Sequence, residues 1–193
     1  MGRTTTSKKD IPQEENYDLM PENKADDTMT QEFFEQPLNL EQQVTVRSIA
    51  GWTTGFSRML TVGDVTIPSR GSIRLSRNEI ISQVHNNNGL FNGIDGRGSH
   101  ATLIIDDKST LKEVDFITDL QFSDNKVKKI FEIQNQDTFE DEIKKQIVTR
   151  AEKYALMVSI VKQKLNDFAK IRFCEKYTGY KIDKVEQDEQ NIR

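Results

Sequence analysis

The sequence predicts an α+β protein: a small antiparallel β sheet or open barrel with one inserted helix, then a C-terminal helical region, all behind an extended N-terminal arm. Three observations predict it. Short alternating or β-branched runs separated by Gly- and Pro-bearing turns fill residues 43–118. From Ser123 onward the apolar residues recur at steps of three and four instead. Residues 1–42 keep neither period.

Along the chain, the acidic stretch 1–42 is expected to be extended or disordered. Its apolar residues come as isolated pairs, Leu19-Met20 and Phe33-Phe34, between Pro12, Pro21 and Pro37, and such a segment cannot offset its own ordering entropy. In the β-rich module, 43–118, Gln43 to Ile49 alternates as a strand. Trp52–Val62 is a second β-prone run ending at Gly63-Asp64, and Val65–Ile67 is a third. After the turn Pro68-Ser69-Arg70-Gly71, Ser72–Leu75 is a fourth. Ser76-Arg77-Asn78-Glu79 has the capping-box spacing and opens a helix with Ile80, Ile81 and Val84 on one face, stopped at Asn86–Gly89. Ala101–Ile105 is a fifth strand closed by a turn at Asp106–Ser109, and Leu111–Ile117 a sixth.

The helical region, 119–182, starts with Val127, Ile130 and Phe131 at helical spacing. A long apolar series from Ile143 to Leu165 follows, and a second capping box, Thr149–Glu152, implies a break near Val148. Asn166-Asp167 opens a last helix through Ile171, Cys174 and Tyr177, ended by Gly179. Residues 183–193 read as a polar tail.

Composition narrows the function classes. Over 193 residues, 35% are hydrophobic and 30% charged, and the net charge is −4. Residues 1–46 hold four Lys/Arg against ten Asp/Glu, so nearly all the acidity lies in the first quarter. One cysteine excludes an internal disulfide and fits a reducing compartment. No apolar run approaches the ~18 to 20 residues a bilayer span needs, so no membrane association is expected.

Enzyme signatures are scarce, and no catalysis is expected. His85, His100 and Cys174 show no His-x-x-x-His, Cys-x-x-Cys or Glu-x-x-His spacing, so neither a metal nor a cofactor is expected. Cys174 sits on an apolar stripe, as an inert buried thiol does. The Gly-rich stretch Gly93–His100 could form an anion-binding nest, but it lacks the Lys of a phosphate loop. His100 is expected to tie that loop down by hydrogen bonding. The stronger signal is basic and aromatic. Arg70, Arg74, Arg77 and Arg97, with Trp52 and Phe56, suggest a binding face, and Phe33, Phe34 and Leu38 suggest anchors on the arm. Arginine in this setting favours a protein interface, through bidentate pairing and stacking. The alternative is single-stranded nucleic acid, held by phosphate pairing and base stacking.

The polar arm, the β module from Gly63-Asp64-Val65-Thr66-Ile67-Pro68 to Leu75-Ser76, the helical appendage and the stretch Asn92–Thr102 together resemble small virion proteins of tailed bacteriophages, of the head-associated or connector kind. That resemblance covers residues 44–180. It implies a structural assembly protein that oligomerises and binds capsid or connector subunits, in the host cytoplasm and then in the virion.

Overall fold

Alternation in Gln43–Ser48 (β1) sends Val44, Val46 and Ser48 to one side, where all three are buried. The computed structural model describes residues 37–117 and 120–192, with side chains to Asp188; the expected arm anchors Phe33 and Phe34 lie outside them. β1 is the central strand of a three-stranded antiparallel sheet, with Ser72–Ser76 (β4) on one edge and Leu103–Ile105 (β5) on the other. The register opposes Val44 to Leu75 and Val46 to both Ile73 and Ile105, so one face is continuously apolar. Thr54–Ser57 (β2) and Asp64–Ile67 (β3) form a separate two-stranded hairpin. The chain is α+β, and the sheet stays open rather than closing into a barrel.

Three helices interrupt or follow the strands: Arg77–His85 (α1), the short Gly89–Asn92 (α2) and Lys108–Glu113 (α3). The expected sixth strand is therefore replaced by α3. The supposed turn at Asp106–Ser109 holds its N-cap, Asp107, whose carboxylate accepts the Thr110 N–H. α1, α3 and the hairpin cover the apolar face, enclosing Val46, Ile67, Leu75, Ile80, Phe91 and Leu103. Leu38 packs on this cluster, and the Asn39 carbonyl accepts from Arg77, so residues 38–42 belong to the body rather than to an arm.

The C-terminal part comprises Asp124–Phe131 (α4), Gln136–Gln146 (α5), Arg150–Gln163 (α6), Phe168–Thr178 (α7) and Ile182–Ile192 (α8). The break near Val148 is present, and Thr149 and Glu152 form the full capping box of α6. The expected polar tail is corrected: α8 is a helix whose Val185 is buried in the helical core. Almost every residue of α6 from Ala151 to Ile160 is buried, because the helix has two covered sides. Ala151 and Ala155 meet Ile49, Ala50 and Ile104 on the sheet, where short side chains permit a close approach. Leu156, Met157 and Ile160 join Phe139, Ile143 and Cys174 in the helical core. Sheet and helices thus form one body from Pro37 onward.

Candidate interaction surfaces

Of the arginines singled out in the sequence, Arg77 is the most deeply committed. Its side chain is buried and donates to Thr110 Oγ1, the Asn39 carbonyl, Gln42 Oε1 and Asp107 Oδ2 at 2.6 to 3.0 Å. Burial pushes the Asp107 carboxyl upward, but hydrogen bonds from Thr110 and Arg77 outweigh it and hold the group below its usual range. Arg77 is therefore an internal strut, not a contact residue. Arg74 is exposed on β4, and its hydrogen bond among the described residues goes to the Gln43 carbonyl, at 3.5 Å. Arg97 is exposed at the tip of the Gly-rich loop.

Arg70 lines a cleft of about 120 Å³ with Arg47, Lys162 and Asp124. The cations already have carboxylate partners: Lys162 Nζ lies 2.7 Å from Asp124, and Arg47 grips Asp106 through two bonds. Burial raises the Asp124 carboxyl, yet bonds from Lys162 and Ser159 bring it below the ordinary range. The cleft satisfies its own charges.

The aromatic candidates are structural. Trp52 packs beside Ile104 and Ala151, with the Arg150 guanidinium 4.5 Å from its ring. Phe56 meets Phe91 edge-to-face at 5.4 Å and rests on the sheet core.

In the Gly-rich loop, Asp95 Oδ1 accepts the N–H groups of Arg97 and Ser99 at 2.9 and 3.0 Å. The chain's own carboxylate occupies the nest that an anion would need. His100 does tie the loop down: its Nδ1 lies 2.8 Å from Oε1 of the buried Glu152. Cys174 is fully buried, and burial pushes its thiol up to about 12, as for an inert thiol.

The surface that sequence reasoning missed is the tip of the β2–β3 hairpin. Its loop closes by the Arg58 N–H to the Gly63 carbonyl, at 2.9 Å, and by Ser57 Oγ to Asp64, at 2.7 Å. Glu79, 2% exposed, accepts the N–H groups of Met59 and Leu60 at 2.8 and 3.1 Å and the Gln83 side-chain amide at 2.8 Å. Burial drives the Glu79 carboxyl up, but these three bonds, assisted by Arg58, hold it below its usual range. With the backbone fixed, the side chains of Met59, Leu60 and Val62 face solvent, at 48%, 49% and 104% exposure. A strand through Val62 hid this loop; the available signal was the Ser57…Gly63-Asp64 closure. Phe168 of α7 is also exposed, at 76%.

No protein-family model, curated protein or solved structure matches the chain. Among the described residues, no group of three or more His, Cys, Asp or Glu is placed to hold a metal ion. No helix among them is long and apolar enough to cross a membrane.

Proposed function

We propose that this chain is a non-enzymatic assembly protein that binds other protein subunits, as the resemblance to phage head-associated or connector proteins implies. The observation that carries the proposal is the hairpin tip. A buried carboxylate is invested in holding a loop whose outward side chains are apolar. Such an arrangement is preorganised for a partner, because the loop needs little ordering on contact. Burying Val62 offers roughly 1.5 to 3 kcal/mol before association costs, and the half-exposed Met59 and Leu60 about half of that each. Arg74 and Arg97 add exposed cations that suit a polar rim. The nucleic-acid alternative has fewer groups to draw on, since Arg77 is internal and Arg47 is bonded to Asp106.

The test compares the full chain with a Met59→Ser/Leu60→Ser/Val62→Ser variant, both tagged and recovered from cells of the protein's source. Wild type should come back above monomer mass, with itself or another protein, and the variant should lose that association without a lower melting temperature. A wild-type monomer that captures nothing would refute the proposal. Micromolar binding of a single-stranded oligonucleotide at ~150 mM salt, abolished by Arg74→Glu, would replace it with the alternative.

A further inference from the structure

The second exposed apolar surface is a groove of about 780 Å³ between α5 and α7, with an aromatic floor and basic walls. Phe173 and Tyr177 stack with centroids 5.9 Å apart and planes 4° from parallel, and Phe168 stands beside them largely uncovered. Lys144 Nζ lies 5.6 Å from the Phe173 ring and Lys153 Nζ 4.5 Å from the Tyr177 ring. Arg172 and Lys176 are exposed on the same wall, and neither forms an ion pair among the described residues. Lys144 already pairs with Glu140, which lines the groove, at 4.0 Å and with Asp141 at 3.5 Å, so the cations left for an occupant are Arg172 and Lys176. The groove therefore suits an occupant that brings an aromatic side chain together with carboxylates.

The chain carries such a segment. Residues 25–36, Ala-Asp-Asp-Thr-Met-Thr-Gln-Glu-Phe-Phe-Glu-Gln, hold four carboxylates and no Lys or Arg, with Glu32 and Glu35 directly flanking Phe33-Phe34. We propose that the α5–α7 groove receives this acidic diphenylalanine segment from a second copy of the chain. The match is one of charge and of aromatic content: the rings meet Phe168, Phe173 and Tyr177, while the flanking carboxylates meet Arg172 and Lys176.

A second copy, rather than the same chain, is the occupant that the assembly function proposed above calls for, since docking within one chain would leave a monomer. The inference rests on the assembly function proposed above and names one of its interfaces.

Sedimentation equilibrium on the full chain tests it with two variants. Phe33→Ser/Phe34→Ser removes the segment's anchors and leaves the groove. Arg172→Glu/Lys176→Glu reverses the wall and leaves the segment; both positions are exposed, so its melting temperature should match wild type. Wild type should self-associate, each variant alone should associate at least tenfold more weakly, and an equimolar mixture of the two should recover association, since one copy then supplies the segment and the other the groove. A fluorescent peptide of residues 25–36 should bind the Phe33→Ser/Phe34→Ser chain, with at least tenfold loss when Arg172→Glu/Lys176→Glu is added. Absence of peptide binding, or variants that associate as wild type does, would overturn the groove. An oligomer that survives both variants but dissociates on Met59→Ser/Leu60→Ser/Val62→Ser would overturn the groove while leaving the assembly function standing.

Discussion

Glu79 Oε1 accepts the backbone N–H of Met59 at 2.8 Å, so a buried residue in the first turn of α1 fixes a loop twenty positions earlier in the chain. At the start of a helix a glutamate at this spacing normally turns back to the N-cap N–H. Here the Ser76 half of that box is present, while the carboxylate is spent on the hairpin.

Glu79→Gln should free the tip. The amide keeps one acceptor for two loop N–H groups and presents an N–H₂ to donors, at a cost of about 1 to 3 kcal/mol. Acid should act in the same direction. The folded carboxyl titrates below its ordinary value, so its stabilisation is present above about pH 4 and is lost as pH falls through the depressed folded value. Protection factors of the Met59 and Leu60 amides, corrected for intrinsic exchange, should drop in the variant at neutral pH and in wild type only in acid. Unchanged protection in Glu79→Gln would show that the loop holds itself.

Arg77 and Arg74 should separate cleanly. Arg77→Lys keeps the charge but cannot reproduce donors aimed at Thr110, Asn39, Gln42 and Asp107, and should lower stability by about 1 to 3 kcal/mol. Arg74→Ala should stay within about 0.5 kcal/mol, as exposed substitutions do. Urea unfolding of both variants measures the difference, and equal midpoints would contradict the strut role.

How far the sequence disclosed this depends on whether the information is local. Thr149 with Glu152, Asp167 before α7 and Gly179 after it were legible because a cap is written within a few residues. Leu111–Ile117 misled because Leu111, Val114 and Phe116 mix the two periods, and Asp107 decides for a helix by capping it. α8 was illegible since Ile182 and Val185 carry its contact with the core and most of the other residues are polar. Arg77 and Glu79 look like surface charges in the sequence. Only the fold brings Thr110, Asp107 and the Met59 loop to them, and no spacing rule encodes that. The same holds for Trp52 and Phe56, whose burial depends on α6 and α2.

Gly93 and Gly96 share a loop but should differ sharply on substitution. Gly93 has φ 68° and ψ −151°, a region closed to residues with a side chain, and an added Cβ would fall 1.8 Å from the Ser99 carbonyl oxygen. Gly96 has φ 76° with open space around it. Gly96→Ala should cost about 1 to 2 kcal/mol from its left-handed backbone alone. Gly93→Ala should cost more than that and break the Ile94 N–H bond to Ser99. Thermal melts of the two variants decide it, and similar losses would mean the loop shifts without cost.

Glu152 joins two structures, and its substitution should damage both. Its Oε2 accepts the N–H groups of Val148 and Thr149 at 2.9 and 3.0 Å, which caps α6, while the carboxylate also holds His100. Removing one buried acceptor leaves several donors unpaired, so Glu152→Ala should cost roughly 2 to 4 kcal/mol. His100→Ala removes the tether alone and should cost about 1 kcal/mol, because the cap survives. If the tether is a direct interaction, the double variant should be less damaged than the two losses added together, by about 0.5 kcal/mol or more. Denaturant unfolding of the four proteins in that cycle provides the measurement. Strict additivity would mean that His100 and Glu152 are neighbours without coupling, and that Asp95 and the backbone alone hold the loop against α6.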